Sequence, residues 1–121
     1  MFRKRRAGVN LLSLVPERLF AHTVNADGRV VVDMPRFHVA WMQKYLVPRS
    51  RSPYIKITLD RFGSHVWTRI DGRADVRDIA ESLRGTFGEE AEPVEERLAV
   101  FMHQLERRGF IRFRTKDSPH A

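Results

Sequence analysis

The sequence predicts an α+β fold, with a small N-terminal antiparallel sheet of about three strands, then three helices and a short C-terminal strand. Strand patterns and turn signals occupy the first half of the chain, and three segments with helical spacing of apolar residues occupy the second half. The length of 121 residues suits one compact domain rather than two, and 42% hydrophobic with 31% charged residues is a globular composition. We therefore expect one core with its attachments.

The first two strands are predicted as a hairpin. Residues 19–24 and 29–33 carry apolar and β-branched side chains and flank the turn sequence Asn25-Ala26-Asp27-Gly28. The Asp-Gly pair supplies the positive φ that a tight turn needs. We expect these two segments to pair as antiparallel strands.

The connection at residues 35–53 is aromatic and basic. Phe37, Trp41 and Tyr45 follow one another at helical spacing, which indicates a short helix. These aromatic side chains could pack in the core or face a partner, and the sequence leaves both open. Residues 48–53 then form a basic loop with a proline at each end.

A third strand is predicted at residues 54–59, because apolar and polar side chains alternate there strictly. The side chains expected on one face are those of Ile55, Ile57 and Leu59, and those expected on the other are Tyr54, Lys56 and Thr58. Such alternation is typical of a strand with one buried face.

The first predicted helix begins after Asp60, whose carboxylate can accept hydrogen bonds from the free amides of a first turn. Gly72 is the predicted C-terminal cap. The apolar face of this helix is made of Phe62, Val66, Trp67 and Ile70.

The second predicted helix begins at Asp75 and ends near Gly88, and the third begins around Pro93 and ends at Gly109. Their apolar residues recur with the helical period. In the second helix these residues are Val76, Ile79, Ala80, Leu83 and Phe87. In the third they are Val94, Leu98, Phe101 and Leu105. Residues 110–113 form a terminal strand or an apolar tail packed on the helices.

Three helices beside a small sheet describe a winged helix-turn-helix architecture. We divide the chain into a basic and apolar N-terminal arm at residues 1–16, a single domain at residues 17–114 and a polar tail at residues 115–121. The role of the arm stays open.

The net charge of +7 suggests an anionic partner, such as a nucleic acid, an acidic peptide or a membrane surface. The excess is N-terminal: residues 1–59 hold 11 basic and 3 acidic side chains, whereas residues 60–121 hold 11 and 12. The helical half is therefore almost neutral. We interpret the basic half as a surface that steers an acidic peptide or enzyme, so association should slow as salt rises.

Catalysis and metal binding have little support in the sequence. There is no cysteine, which excludes disulfides and thiolate sites. The five histidines are scattered without an i,i+4 pair, and no glycine-rich phosphate loop occurs. No stretch approaches the roughly 18 apolar residues of a membrane-spanning helix. We expect a cytoplasmic protein that is not an enzyme and uses no cofactor or metal.

A motif in the helical half carries a family resemblance. The segment Trp67-x-x-Ile70-Asp71-Gly72 is followed by Val76-x-x-Ile79-Ala80-x-x-Leu83. Further matching positions are Thr58-Leu59-Asp60, Gly63, Phe87, Leu105 and Gly109-Phe110-Ile111. Together they resemble the PqqD family, also called RiPP recognition elements, where a RiPP is a ribosomally made and post-translationally modified peptide. Asp60 stands where the family usually has asparagine, and residues 35–53 are longer than the same connection in compact members.

The resemblance implies a winged-helix module that binds the leader of a precursor peptide and presents it to a modifying enzyme, often a radical SAM enzyme. It also implies that the leader is captured as an extra strand on a sheet edge. The matching strand covers residues 54–59, so the implied contacts are Tyr54, Ile55, Lys56, Ile57, Thr58 and Leu59.

The third helix supplies independent candidates for the peptide site. At about 100° per residue, Arg97, Gln104 and Arg108 lie on one flank of its apolar stripe, with Phe101 at the border. We predict that this basic flank lines the peptide groove and pairs with leader carboxylates. The alternative, that these are solvated helix charges, stays open.

A winged helix that binds nucleic acid through the basic N-terminal half, including Arg49 and Arg51, is the alternative function. Such a protein inserts the start of its third helix into the DNA groove. The carboxylates that lead into this helix would repel phosphates; they are Glu89, Glu90, Glu92, Glu95 and Glu96. A peptide partner is therefore favoured over nucleic acid. The leader, the enzyme, the product and the oligomeric state, including a homodimer, stay open.

Overall fold

A computed structural model of the chain describes residues 10–35 and 54–116, with the backbone alone for Tyr54. In this part of the chain, three helices accompany two small antiparallel sheets, which confirms the predicted α+β class. The elements in chain order are a 3-10 turn at Leu11–Ser13, β1 at Val15–Arg18, β2 at His22–Val24, β3 at Val30–Pro35, β4 at Tyr54–Thr58, α1 at Arg61–Arg69, α2 at Val76–Phe87, a 3-10 turn at Gly88–Ala91, α3 at Val94–Arg107 and β5 at Ile111–Arg114.

The larger sheet has the strand order β2-β3-β4, and both pairs are antiparallel. The predicted hairpin is confirmed: the amide of Gly28, at φ 86°, donates to the carbonyl of Asn25 at 2.9 Å. Strand β2 begins later than the predicted residue 19, because the Leu19 amide donates instead to the Phe110 carbonyl at 2.9 Å. The predicted third strand is confirmed as β4, which ends at Thr58.

The smaller sheet pairs β1 with β5 and was not predicted from the sequence. The side chain of Glu17, which is buried, accepts hydrogen bonds from Arg112 Nε at 2.8 Å and Arg114 Nε at 3.2 Å. Val15 and Pro16, which we placed in the N-terminal arm, therefore lie in a strand. The pairing joins residues about 95 positions apart, so no local sequence pattern announces it.

The first helix begins as predicted, since Asp60 Oδ1 accepts the Gly63 amide at 2.7 Å. It ends earlier than predicted, with Ile70 as its cap residue, and Gly72 lies in the turn that follows, at φ 82°. The second helix has a capping box in which Asp75 and Asp78 each accept the backbone amide of the other. The predicted starts of α1 and α2 are thus confirmed in atomic detail.

The third helix buries Val94, Leu98, Met102 and Leu105. The prediction that Phe101 belongs to this buried row was wrong: Met102 takes that place, and Phe101 is only partly buried beside the core. Pro93 is the residue before the helix rather than its first residue. The shift turns Phe101 toward the groove described below.

The core lies between the helices and β3, with Trp67, Leu83 and Leu98 among its fully buried side chains. Several predictions lie outside the described residues: the short helix with Phe37, Trp41 and Tyr45, the loop at residues 48–53, the start of the arm and the end of the tail. Of the residues that the structure does describe, none belongs to a helix long and apolar enough to cross a membrane.

Candidate functional site

A groove separates β4 from α3. Its volume is about 440 Å³, as lined by the residues that the structure describes. The sheet contributes Met34, Ile57 and Leu59 to its lining, and α3 with the following turn contributes Phe101, Gln104, Leu105, Arg108 and Phe110. The groove therefore has an apolar floor and a polar rim.

The side chains of β4 divide between the groove and the opposite face of the sheet. Ile57 and the following Leu59 are half-buried and line the groove. Lys56 points to the other face, where its ammonium lies 2.8 Å from the carboxylate of Asp33 on β3, and Thr58 is exposed. Of the predicted strand, only alternate side chains can thus contact a ligand in the groove.

The backbone of β4 presents a second set of contacts. The Leu59 amide donates to the Val30 carbonyl at 2.8 Å, and in an antiparallel pair every second residue directs its amide and carbonyl to the partner strand. The amides and carbonyls of Lys56 and Thr58 are therefore directed away from β3. Within residues 10–35 and 54–116, no strand pairs with this outer edge of β4.

The rim formed by α3 contains three of the four side chains predicted on that helix. Phe101 lies against the groove and packs edge-on against Phe62, with ring centroids 6.3 Å apart, while Gln104 and Arg108 are exposed at the rim. Arg97 is absent from the groove. It lies about 16 Å from Arg108 along the helix axis at 1.5 Å per residue, in a neighbouring cavity.

Met34 and Phe110 form part of the groove floor and were not predicted as site residues. A signal for Met34 exists in the sequence, because alternation along β3 places it on the same face as Val30 and Val32. Phe110 had no such signal, since its position depends on the contact between the end of α3 and the sheet.

Histidine does not contribute to the charge of the groove, because the described lining contains none. Burial lowers the pKa of His22, helped by Arg18 and opposed by Asp33. Burial and the nearby Arg69 lower the pKa of His65. Both side chains lie away from the groove, and the lowered pKa of each favours its neutral form.

The groove offers binding rather than reactive groups. The described residues of its lining include no carboxylate, hydroxyl or imidazole that could act as a nucleophile or a general base. Across residues 10–35 and 54–116, no three histidine, aspartate or glutamate side chains gather closely enough to hold a metal ion. An apolar floor beside an open strand edge suits an extended peptide.

Comparison with models of protein families gives a match over the second half of the chain. The family described as coenzyme PQQ synthesis protein D (PqqD) matches residues 48–111, just over half of the 121 residues. The matched region includes β4, all three helices and the first residue of β5. No curated protein and no solved structure matches the chain. The chain belongs to the PqqD family.

Proposed function

We propose that this protein is a non-catalytic peptide-binding module of RiPP or PQQ-like biosynthesis. It captures the leader of a precursor peptide by strand addition and presents it to a modifying enzyme of the radical SAM class. The observation that carries the proposal is the outer edge of β4, which borders an apolar groove and has no partner strand among the described residues. Membership of the PqqD family supports it independently.

Main-chain hydrogen bonds supply the affinity in this proposal. The outward amides and carbonyls of Lys56 and Thr58 can make up to four bonds with an added strand. Each such bond contributes about 1 kcal/mol net, because the groups exchange water for a peptide partner. Because the bonds involve only backbone groups, they accept many sequences.

Selectivity then comes from the groove. Alternate side chains of an added strand point to the same side, so a large apolar residue of the leader would pack against Ile57, Leu59 and Phe101. At the rim, Gln104 would form hydrogen bonds with carbonyls of the leader, and Arg108 would form ion pairs with its carboxylates. The leader recognised here combines an apolar strand-forming stretch with acidic residues.

A winged helix-turn-helix is the architecture that we propose for this module, and its predicted domain at residues 17–114 is extended to include Val15 and Pro16 of β1. Peptide binding is favoured over nucleic acid because the start of α3 is acidic. Glu95 and Glu96 lie in the first turn of α3, and Glu92 lies just before it, so this end of the helix would bring carboxylates toward the phosphates of DNA.

One copy of the chain supplies the whole groove, so peptide capture does not require the homodimer that the sequence leaves open. We place this activity in the cytoplasm, since a chain without cysteine needs no oxidising compartment.

The decisive substitution is Lys56→Pro, with Lys56→Ala as its control. Proline removes the outward amide but no hydrogen bond to β3, and prolines are tolerated on edge strands. Both variants lose the ion pair with Asp33, so they differ mainly in the backbone donor and the proline ring. Circular dichroism and thermal unfolding establish that both variants fold.

Fluorescence polarisation would use labelled peptides translated from the short open reading frames beside the gene. We expect one of them to bind the wild type, and Lys56→Pro to bind it at least about fivefold more weakly than Lys56→Ala, since one backbone bond is lost. Equal affinity of the two variants would contradict strand addition. Failure of the wild type to bind any of these peptides would contradict peptide capture.

A further inference from the structure

The peptide groove is the first part of a longer trough. Past Phe101 and Gln104, a cavity of about 420 Å³ runs along α3 and shares these two residues with the groove. A third cavity of about 470 Å³ follows at the start of α1 and the end of α2, and it shares Phe62 and Arg97 with the second. We name this third cavity the arginine cleft; its defining residues are Arg29, Arg61, Phe62, Phe87 and Arg97.

Each arginine of the cleft is held in place by a contact that leaves part of its guanidinium available. Arg97 stacks on Phe62, with its guanidinium carbon 4.3 Å from the ring centroid, and donates one hydrogen bond to the Glu90 carbonyl at 2.8 Å. Arg61 lies over Phe87 at 5.3 Å. Arg29 Nε donates to the carbonyl of Leu59 at 3.0 Å. Side chains positioned in advance lose less entropy when they bind.

These arginines have no acidic partner among the described residues. No described carboxylate oxygen lies within 4.0 Å of the guanidinium nitrogens of Arg29, Arg61 or Arg97, whereas the guanidinium of Arg84 contacts three glutamates. Asp60 and Glu90 line the cleft, which leaves a net charge of +1 for its lining. A balance this small favours one or two carboxylates, which a guanidinium can bind through paired hydrogen bonds, over a polyanion.

The cleft lies where a peptide on β4 would continue. Leu59 and Asp60 directly follow β4, and Asp60 lines the cleft. An added strand that runs past Thr58 therefore reaches the cleft next. If the strand is antiparallel to β4, the segment over the cleft precedes the strand-forming segment in the peptide.

We propose that the arginine cleft binds one or two acidic side chains of the precursor peptide, in the segment next to the strand-forming stretch. That the carboxylates belong to a precursor peptide rests on the proposed function. That the cleft binds carboxylates does not depend on it. The bound peptide is thus recognised at two places: its backbone at β4 and its carboxylates at the cleft.

The cleft is tested alone with N-acetyl-tetraglutamate amide as the probe, and tetraglutamine as its neutral match. Amide NMR spectra of the isotopically labelled full chain should shift at Phe62, Phe87 and Arg97 with tetraglutamate only. The double variant Arg61→Gln/Arg97→Gln should bind tetraglutamate about fivefold more weakly than the wild type. The control Arg77→Gln/Arg107→Gln removes the same charge from exposed helix positions outside the cleft and should bind as the wild type does.

If tetraglutamate binding is weakened equally in the two double variants, the proposal that the cleft is a carboxylate site is overturned, because the protein would then respond only to total charge. Equal binding of tetraglutamine would overturn it as well. Either result leaves strand addition at β4 unaffected, since that is decided by Lys56→Pro against Lys56→Ala.

The link between the two places is tested with the peptide that binds the wild type in the polarisation assay. Replacing the acidic residues beside its strand-forming stretch with their amides should weaken wild-type binding about fivefold and leave binding to Arg61→Gln/Arg97→Gln nearly unchanged. Equal weakening in both proteins would overturn the assignment of those residues to the cleft. If the wild type binds none of these peptides, the proposed function is contradicted, and so is the proposal that a precursor peptide occupies the cleft. The tetraglutamate experiment would still show whether the cleft binds carboxylates.

Discussion

Asp75 links the start of α2 to the C-terminal end of the described chain, and its replacement should lower stability by a predictable amount. Only 2% of its surface is exposed. One carboxylate oxygen accepts the Asp78 amide at 2.7 Å, and the other lies 2.7 Å from Lys116 Nζ. Asp75→Ala removes both contacts, whereas Asp75→Asn keeps an acceptor for the capping bond and removes the charge.

The capping bond sets the expected size of the effect. Loss of an N-cap acceptor costs about 1–2 kcal/mol of unfolding free energy in proteins. For a domain of this size, that corresponds to a fall in melting temperature of about 5–10 °C. We expect Asp75→Ala to show this loss at neutral pH, and Asp75→Asn to retain much of the stability because asparagine is also a good N-cap residue.

The charge of Asp75 adds a dependence on pH. Burial raises the pKa of this carboxyl, but the hydrogen bond from Lys116 and the amide of Asp78 together outweigh burial, so the pKa is lowered. A carboxyl with a lowered pKa in the folded state stabilises the fold above its unfolded pKa of about 3.9 and loses that contribution as pH falls through the folded value. The advantage of wild type over Asp75→Asn should therefore shrink in acid.

Thermal and urea unfolding at neutral pH and at several acidic values would measure both effects. Equal stability of Asp75→Ala and Asp75→Asn at neutral pH would refute the capping bond as the cause. An advantage of wild type over Asp75→Asn that grows in acid would refute the electrostatic argument.

Two further pairs of substitutions test the packing and backbone described above by urea unfolding. Leu98→Ala should lower the free energy of unfolding by about 2–5 kcal/mol, because Leu98 is fully buried in α3. Val100 is 60% exposed, so Val100→Ala should change this free energy by less than about 0.5 kcal/mol. Similar losses in the two variants would contradict the assigned helix face. Gly85→Ala should stabilise α2 by up to about 1 kcal/mol, since its added Cβ meets nothing within 4 Å, whereas Gly28→Ala should destabilise by about 1 kcal/mol because Gly28 has φ 86°. The same sign for both glycine substitutions would contradict the backbone assignments.

The sequence by itself determined the elements whose signals are local. Strict alternation at residues 54–59 placed β4, and the Asp-Gly turn placed the hairpin before it. Asp60 and Asp75 marked the starts of two helices, because a capping carboxylate acts on amides only two or three residues away. The residues of the PqqD motif lie in the same local segments, so the family could also be identified from the sequence.

Only the tertiary structure decided which of these elements meet. The pairing of β1 with β5, the contribution of Phe110 to the groove floor and the placement of Arg97 and Arg108 in different cavities all depend on contacts between distant parts of the chain. Helical periodicity places a side chain on a face to within a fraction of a turn, which was too coarse to choose Met102 over Phe101 for the core. Packing makes that choice, because only one of two adjacent side chains can fill the space between α3 and the rest of the core.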